Sequence, residues 1–159
     1  QNIHRADELY AYLEGMIEKG NHGKPYFREN LGIHFNISHS GVYGACALSF
    51  IPCGLDIQEV RKVRSRKMLE RVLSREEQEL VQKAQNPEVE FCRFWARKES
   101  FLKLSGDGIT RSMRDLEQPG WYQEFQVDSQ VLGCICAGEH FQVSIQQVPQ
   151  EKFFQRFLV

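Results

Sequence analysis

No segment of this 159-residue chain is apolar for long enough to cross a bilayer as a helix. The uncharged stretch from Ser40 to Leu55 is broken by Ser49, Pro52 and the glycines Gly41, Gly44 and Gly54, and it falls short of the ~20 apolar residues that a span requires. No basic segment leading into an apolar one opens the chain, so no secretory leader is read there. A surplus of one charge is also missing: 20 Lys plus Arg stand against 21 Asp plus Glu, a net charge of -1, which argues against a nucleic-acid coat. The five cysteines are an odd number without disulfide-scaffold or zinc-ligand spacing, as expected for reduced thiols in a cytoplasmic protein. Repeats, low-complexity tracts and linkers are absent too. What remains is 42% hydrophobic and 11% aromatic, ample for a packed interior, and the length predicts one domain at roughly 150 residues per domain. The chain begins at Gln1 rather than at methionine, which leaves room for residues upstream.

Asp7 to Lys19 reads as an amphipathic helix, with Leu9, Tyr12, Leu13, Met16 and Ile17 at helical spacing, Gly20 as its left-handed cap and a turn from Asn21 to Pro25. Ile33, Phe35 and Ile37 alternate with His34, Asn36 and Ser38, the period of a half-buried strand, which breaks at Ser38-His39-Ser40-Gly41. Val42 to Ile51 supplies a second strand, ended by Pro52 and Gly54. In a third, Asp56 and Gln58 share one face while Leu55 and Ile57 take the other. Helix formers follow from Arg61: Met68, Leu69, Val72 and Leu73 make a stripe, Ser74 with Glu77 is a capping box for a helix carrying Leu80, Val81 and Ala84, and Asn86-Pro87 opens a third helix from about Glu88 to Leu104. Trp121 to Val127, Val131 to Ala137 and Phe141 to Val148 read as strands, with Cys134 and Cys136 neighbours on one face. The predicted class is α+β.

On the third helix Phe91, Phe94, Trp95, Phe101 and Leu102 cluster on one side, with Lys98 near the middle of that arc and Glu99 at its edge. A lysine there either runs its stem along the apolar surface to reach water or meets an anion that neutralises it. Asp56 is an acid in an apolar strand; with a helix-borne Glu it would make a hard-oxygen pair of the type that holds Mg²⁺. Ser38-His39-Ser40, where a strand stops, offers hydroxyls, an imidazole and loop amides to a phosphate; as an ordinary turn it would need no ligand. Lys24 stands in a turn stiffened by Pro25.

Taken in order, Gly23-Lys24-Pro25, Phe35-Asn36-Ile37-Ser38-His39-Ser40, Gly54-Leu55-Asp56-Ile57-Gln58 and Phe94-Trp95-Ala96-Arg97-Lys98-Glu99-Ser100-Phe101-Leu102-Lys103 resemble the ordered motifs of the 4′-phosphopantetheinyl transferases of the surfactin-synthetase-activating type. The resemblance covers most of the chain, its three C-terminal strands included. It implies antiparallel sheets with packed helices, and transfer of the 4′-phosphopantetheine arm of coenzyme A to a serine of an acyl or peptidyl carrier protein with Mg²⁺. By position it makes Asp56 and Glu99 metal ligands and Glu99 the base. Lys98 and Lys103 would lie against the coenzyme phosphates, and Lys24, Ser38 and His39 would complete the pocket.

Gln58 stands where the family often has Glu, which implies an amide that reaches the metal through water or only lines the site. The first lobe, residues 1–52, is short beside the second, 53–159: either Gln1 is an internal start, or a compact variant completes its site as a homo-oligomer. The grip on the coenzyme 3′-phosphate is unassigned. Six cations, Arg61, Lys62, Arg64, Arg66, Lys67 and Arg71, run together with only Glu70 against them, a patch suited to docking an acidic carrier or an ordinary solvated face. The alternative to an enzyme is a non-catalytic module of the same fold that binds coenzyme A or the carrier.

Overall fold

Two serines, an Asn-Pro pair and a glycine divide the middle of the chain into helices, each by a local rule. The computed structural model describes residues 14–62, 65–108, 112–116 and 118–155. Ser65 caps α1 (Arg66–Val72), its side chain accepting from the Met68 amide. At the start of α2 (Arg75–Lys83) the Ser74 side chain accepts from the Glu77 amide while the Glu77 carboxylate accepts from the Ser74 amide. The reciprocal pair satisfies two of the donors a helix start leaves open. Pro87 begins α3 (Pro87–Ser105), and Gly106, at φ 80°, ends it with its amide donating to the Leu102 carbonyl. The final described helix is α4 (Gln150–Gln155).

Strands β1 (Ile17–Lys19) and β2 (Pro25–Phe27) form an antiparallel hairpin. The helix expected to reach Lys19 therefore ends earlier: Glu14 to Met16 are helical and Ile17 is already in a strand, while Asp7 to Leu13 lie outside the described residues. Pro25, which has no amide to donate, stands at the end of the ladder opposite Lys19, and Glu18 holds the pair by accepting from Tyr26 and Arg28 across the strands. Gly23 at φ 80°, rather than Gly20, is the left-handed residue of the turn.

Strands β3 (His34–Ser40) and β4 (Tyr43–Ser49) form a second hairpin, turned at Gly41 with φ 59°. The alternation expected in β3 is present, but its faces are reversed. Asn36 and Ser38 are buried, whereas Ile37 is 52% exposed and Leu48 on β4 71%. The reason lies in β5 (Cys53–Glu59). Its amides at Leu55, Ile57 and Glu59 donate to the side chains of Asn36, Ser38 and Ser40 at 3.1, 3.2 and 2.9 Å. These side chains take the place of a neighbouring strand's carbonyls, so the polar face of β3 must turn inward.

The other edge of β5 pairs with β7 (Val131–Ala137), which pairs with β6 (Trp121–Gln126), giving the order β5-β7-β6. Phe141 to Val148 forms no strand, so two of the three C-terminal strands are present. Phe141 instead packs on Trp121 with ring centroids 4.8 Å apart, and Ile145 and Val148 are exposed.

Helix α3 lies across β5 and β7. At the crossing, a Cβ on Gly54 would collide with the Ser100 carbonyl oxygen and stand 2.7 Å from the Leu104 amide. Glycine is what lets α3 approach this strand. On the far side of α3, Val72, Leu73, Val81, Phe91, Leu102 and Met113 form one core; Ala47, Cys53, Leu55 and Ile135 form another beneath the sheet. The five cysteines are free, and Cys134 and Cys136 are buried together. Among the described residues no helix is long and apolar enough to cross a membrane.

Candidate functional site

Strand alternation puts Asp56 and Gln58 on one face of β5, and the Gln58 side-chain amide donates to Asp56 Oδ2 at 2.7 Å. Helical spacing puts Glu99 and Lys103 one turn apart on α3. The Gly54 contact brings the two elements together. Lys103 Nζ then lies 2.7 Å from Asp56 Oδ1 and 2.9 Å from Ser38 Oγ, and Ser38 itself donates to Asp56 Oδ1 at 2.9 Å. Asp56 is 3% exposed and Glu99 8%. Glu99 therefore sits beside a second, buried carboxylate. Burial raises its pKa to about 7, the charge of Asp56 pushes the same way, and Lys103 opposes both.

Four of the expected site residues thus converge with Ser38: Asp56, Gln58, Glu99 and Lys103. Three others do not join them. Lys98 is 1% exposed, and its ammonium donates to the carbonyls of Val72 at 2.8 Å and Met113 at 3.0 Å and to Glu77 Oε2 at 2.6 Å. The expectation that a diphosphate neutralises Lys98 gives way to an internal carboxylate, on the residue that also caps α2. His39 alternates to the face of β3 opposite Ser38 and is exposed, so it does not share the Ser38 cluster. Lys24 donates to the Leu104 carbonyl at 2.9 Å, closing the last turn of α3 where a cation is favoured; burial lowers its pKa. It also lines a cavity of about 400 Å³ with Arg28, His34, Phe35 and Cys53.

The hairpin ladder supplies residues that the motif reading left without a role. Asn36 and Ser40 hold the amides flanking Asp56 and Gln58. A polar stripe at every second residue of β3 was their only sign in the sequence. In the basic run, Arg61 pairs with Glu59 and Arg66 with Glu70; Lys62, Lys67 and Arg71 are exposed, and Arg64 lies outside the described residues.

Two adjacent carboxylates and an amide carbonyl are hard oxygen donors of the set that Mg²⁺ prefers. The Lys103 ammonium, held against one of those carboxylates, marks the place as one for positive charge. The donor set fits the ion. No cluster of three or more His, Cys, Asp or Glu side chains occurs among the described residues, so a cation here would complete its shell with water or substrate oxygens.

A family model described as the 4′-phosphopantetheinyl transferase superfamily matches residues 52–151. The chain is 31% identical to the 4′-phosphopantetheinyl transferase psf-1 of Bacillus pumilus, over 88% of this chain and 71% of that protein. It is 38% identical to the 4′-phosphopantetheinyl transferase gsp of Aneurinibacillus migulanus, over 59% of this chain and 39% of that one. With the 4′-phosphopantetheinyl transferase Sfp of Bacillus subtilis it shares 28% identity over 73% of this chain and 60% of the relative. The chain therefore spans less than two thirds of the length of two of these three relatives.

Proposed function

The chain belongs to the 4′-phosphopantetheinyl transferase superfamily, and from that premise we propose that it transfers the 4′-phosphopantetheine arm of coenzyme A to a serine of a carrier protein. The observation that carries this reading is the meeting of the buried carboxylates Asp56, from β5, and Glu99, from α3, with the half-buried Lys103 of α3. The carrier serine oxygen bonds to the phosphorus that bears the pantetheine arm, the pyrophosphate P–O bond breaks, and adenosine 3′,5′-bisphosphate leaves with the electron pair. Glu99 takes the serine proton, a task open to a carboxylate within hydrogen-bond reach of the hydroxyl. Lys103, drawn toward the diphosphate, stabilises charge gathering on the leaving group. Asp56 and Glu99 would hold Mg²⁺, with Gln58 orienting Asp56. The ion, when bound, would neutralise phosphate oxygens. Lys98 is assigned to holding α3 against α1 and α2, away from the coenzyme.

The cavity walled by Lys24, Arg28 and His34 begins at Cys53, three residues along β5 from Asp56, or roughly 10 Å of strand. We assign it to the adenosine end of the coenzyme. Residues 1–52 then supply coenzyme contacts as a first lobe, and residues 53–159 the transfer chemistry. The exposed cations of the Arg61 to Arg71 run would receive an acidic carrier, and five free thiols suit a reducing, cytoplasmic setting.

Mass spectrometry of an apo carrier protein incubated with coenzyme A, Mg²⁺ and this protein tests the proposal. Added phosphopantetheine mass, lost with Glu99→Gln, is the expected outcome. Coenzyme binding without added mass would instead make the chain a non-catalytic binding module.

A further inference from the structure

We infer that Lys103 is a built-in counter-ion that competes with a divalent cation for Asp56 and is drawn off by an anionic substrate, so that metal and substrate binding are coupled through this one side chain. The inference rests on the reading of Asp56 as a cation ligand. Each oxygen of Asp56 already has a donor: Oδ1 receives Lys103 at 2.7 Å and Ser38 at 2.9 Å, and Oδ2 receives the Gln58 amide at 2.7 Å. The carboxylate side chain is 4% exposed. A cation arriving from water thus meets an ammonium already held on the ligand it needs, and two positive charges a few ångströms apart in a buried site repel strongly. The ammonium has somewhere to go. The Lys103 side chain is 30% exposed and its stem is long and flexible.

Lys98, the other lysine of this motif, cannot play the part. It is fully buried, with acceptors from three separate segments around its ammonium, so moving it would break the packing of α1 and α2 on α3. Lys103 is held by side chains alone, Asp56 and Ser38. A diphosphate beside α3 offers Lys103 more negative charge than one shared carboxylate oxygen does. Its departure takes the ammonium off Asp56, freeing that carboxylate and removing a repelling charge, which raises the affinity of the place for a divalent ion. Reciprocity then requires the ion to favour the substrate-bound state by the same factor.

The test is Mn²⁺ binding to the metal-free protein, followed by electron paramagnetic resonance, for the wild type, Lys103→Met, Lys103→Arg and Asp56→Asn, each measured at a temperature well below its own melting transition. Without coenzyme, Lys103→Met should bind Mn²⁺ tighter than wild type by roughly tenfold or more, while Lys103→Arg stays weak. Coenzyme A should tighten Mn²⁺ binding in the wild type by a factor about fivefold larger than in Lys103→Met. Equal Mn²⁺ affinity in wild type and Lys103→Met, both lost in Asp56→Asn, would overturn the counter-ion role and leave the metal site standing. Mn²⁺ binding indifferent to Asp56→Asn in every protein would overturn the metal site and the inference together.

Discussion

Lys98 and Lys103 share one helix and end in opposite surroundings. Lys98 is sealed among carbonyls and Glu77, and such a group belongs to the architecture. Replacing it with Met leaves Glu77 and the carbonyl groups without their donor, and breaking a buried pair by removing one partner costs roughly 3–5 kcal/mol. Urea unfolding of Lys98→Met should show that loss. In a double-mutant cycle with Glu77→Gln, the two losses should be far from additive. Glu99 carries the titration of the site. Its pKa of about 7 comes first from burial and second from Asp56, so Asp56→Asn should lower it part of the way toward 4.5, as read by carboxyl carbon chemical shifts in the metal-free protein. In the folded chain Glu99 keeps its proton to about pH 7, and in the unfolded chain only to 4.5. Its contribution to stability is then full below 4.5 and lost as pH rises through 7. Glu99→Gln should flatten stability against pH within that window.

At the scale of elements, the site is a crossing of α3 over β5 with a side-chain ladder on the strand's other edge. Gly54→Ala should drive the helix and strand apart, because the new methyl meets the Ser100 carbonyl, which is backbone and cannot swing away. A loss of about 3 kcal/mol or more is expected in chemical denaturation. Asn36→Ala strands the Leu55 amide at a cost of roughly 1–3 kcal/mol, with a larger effect on transfer rate than on coenzyme binding, since Leu55 adjoins Asp56. Much at this scale was legible in the chain itself. The Ser74/Glu77 box and the Asn86-Pro87 start are rules about neighbouring residues, and α2 and α3 begin where those rules place them. Strand β7 matches its apolar run. Two elements were misread for one reason: helix or strand depends on whether an edge is available for pairing. Ile17 to Lys19 finds one in Pro25 to Phe27; Phe141 to Val148 does not.

For the molecule as a whole, a net charge of -1 gives no long-range pull on an acidic partner, so the proposed docking of a carrier would rest on a local patch. Arg61 and Arg66 are already paired with Glu59 and Glu70. The exposed Lys62 and Lys67 should therefore matter more: Lys62→Glu with Lys67→Glu should raise KM for an acidic carrier severalfold at low ionic strength, with kcat little changed and the difference fading in high salt. The hairpin of β3 and β4 also presents Ile37, Leu48 and, beyond its end, Phe50 at 85% exposure. This apolar face exists because the polar side of β3 is taken up by β5.

The linear order of residues was enough to determine the α+β class, the starts of α2 and α3 and the shared face of Asp56 and Gln58, because each depends on periodicity or on partners within a turn or two. It also held the family likeness, as four motifs in order. Only the tertiary structure decided which face of β3 turns inward, that Ser38 meets Asp56 while His39 points away, and that Lys98 answers to Glu77 and Lys103 to Asp56. Alternation defines two faces without ranking them. A buried charge takes whichever partner the packing brings near, and here those partners lie 21 and 47 residues away along the chain.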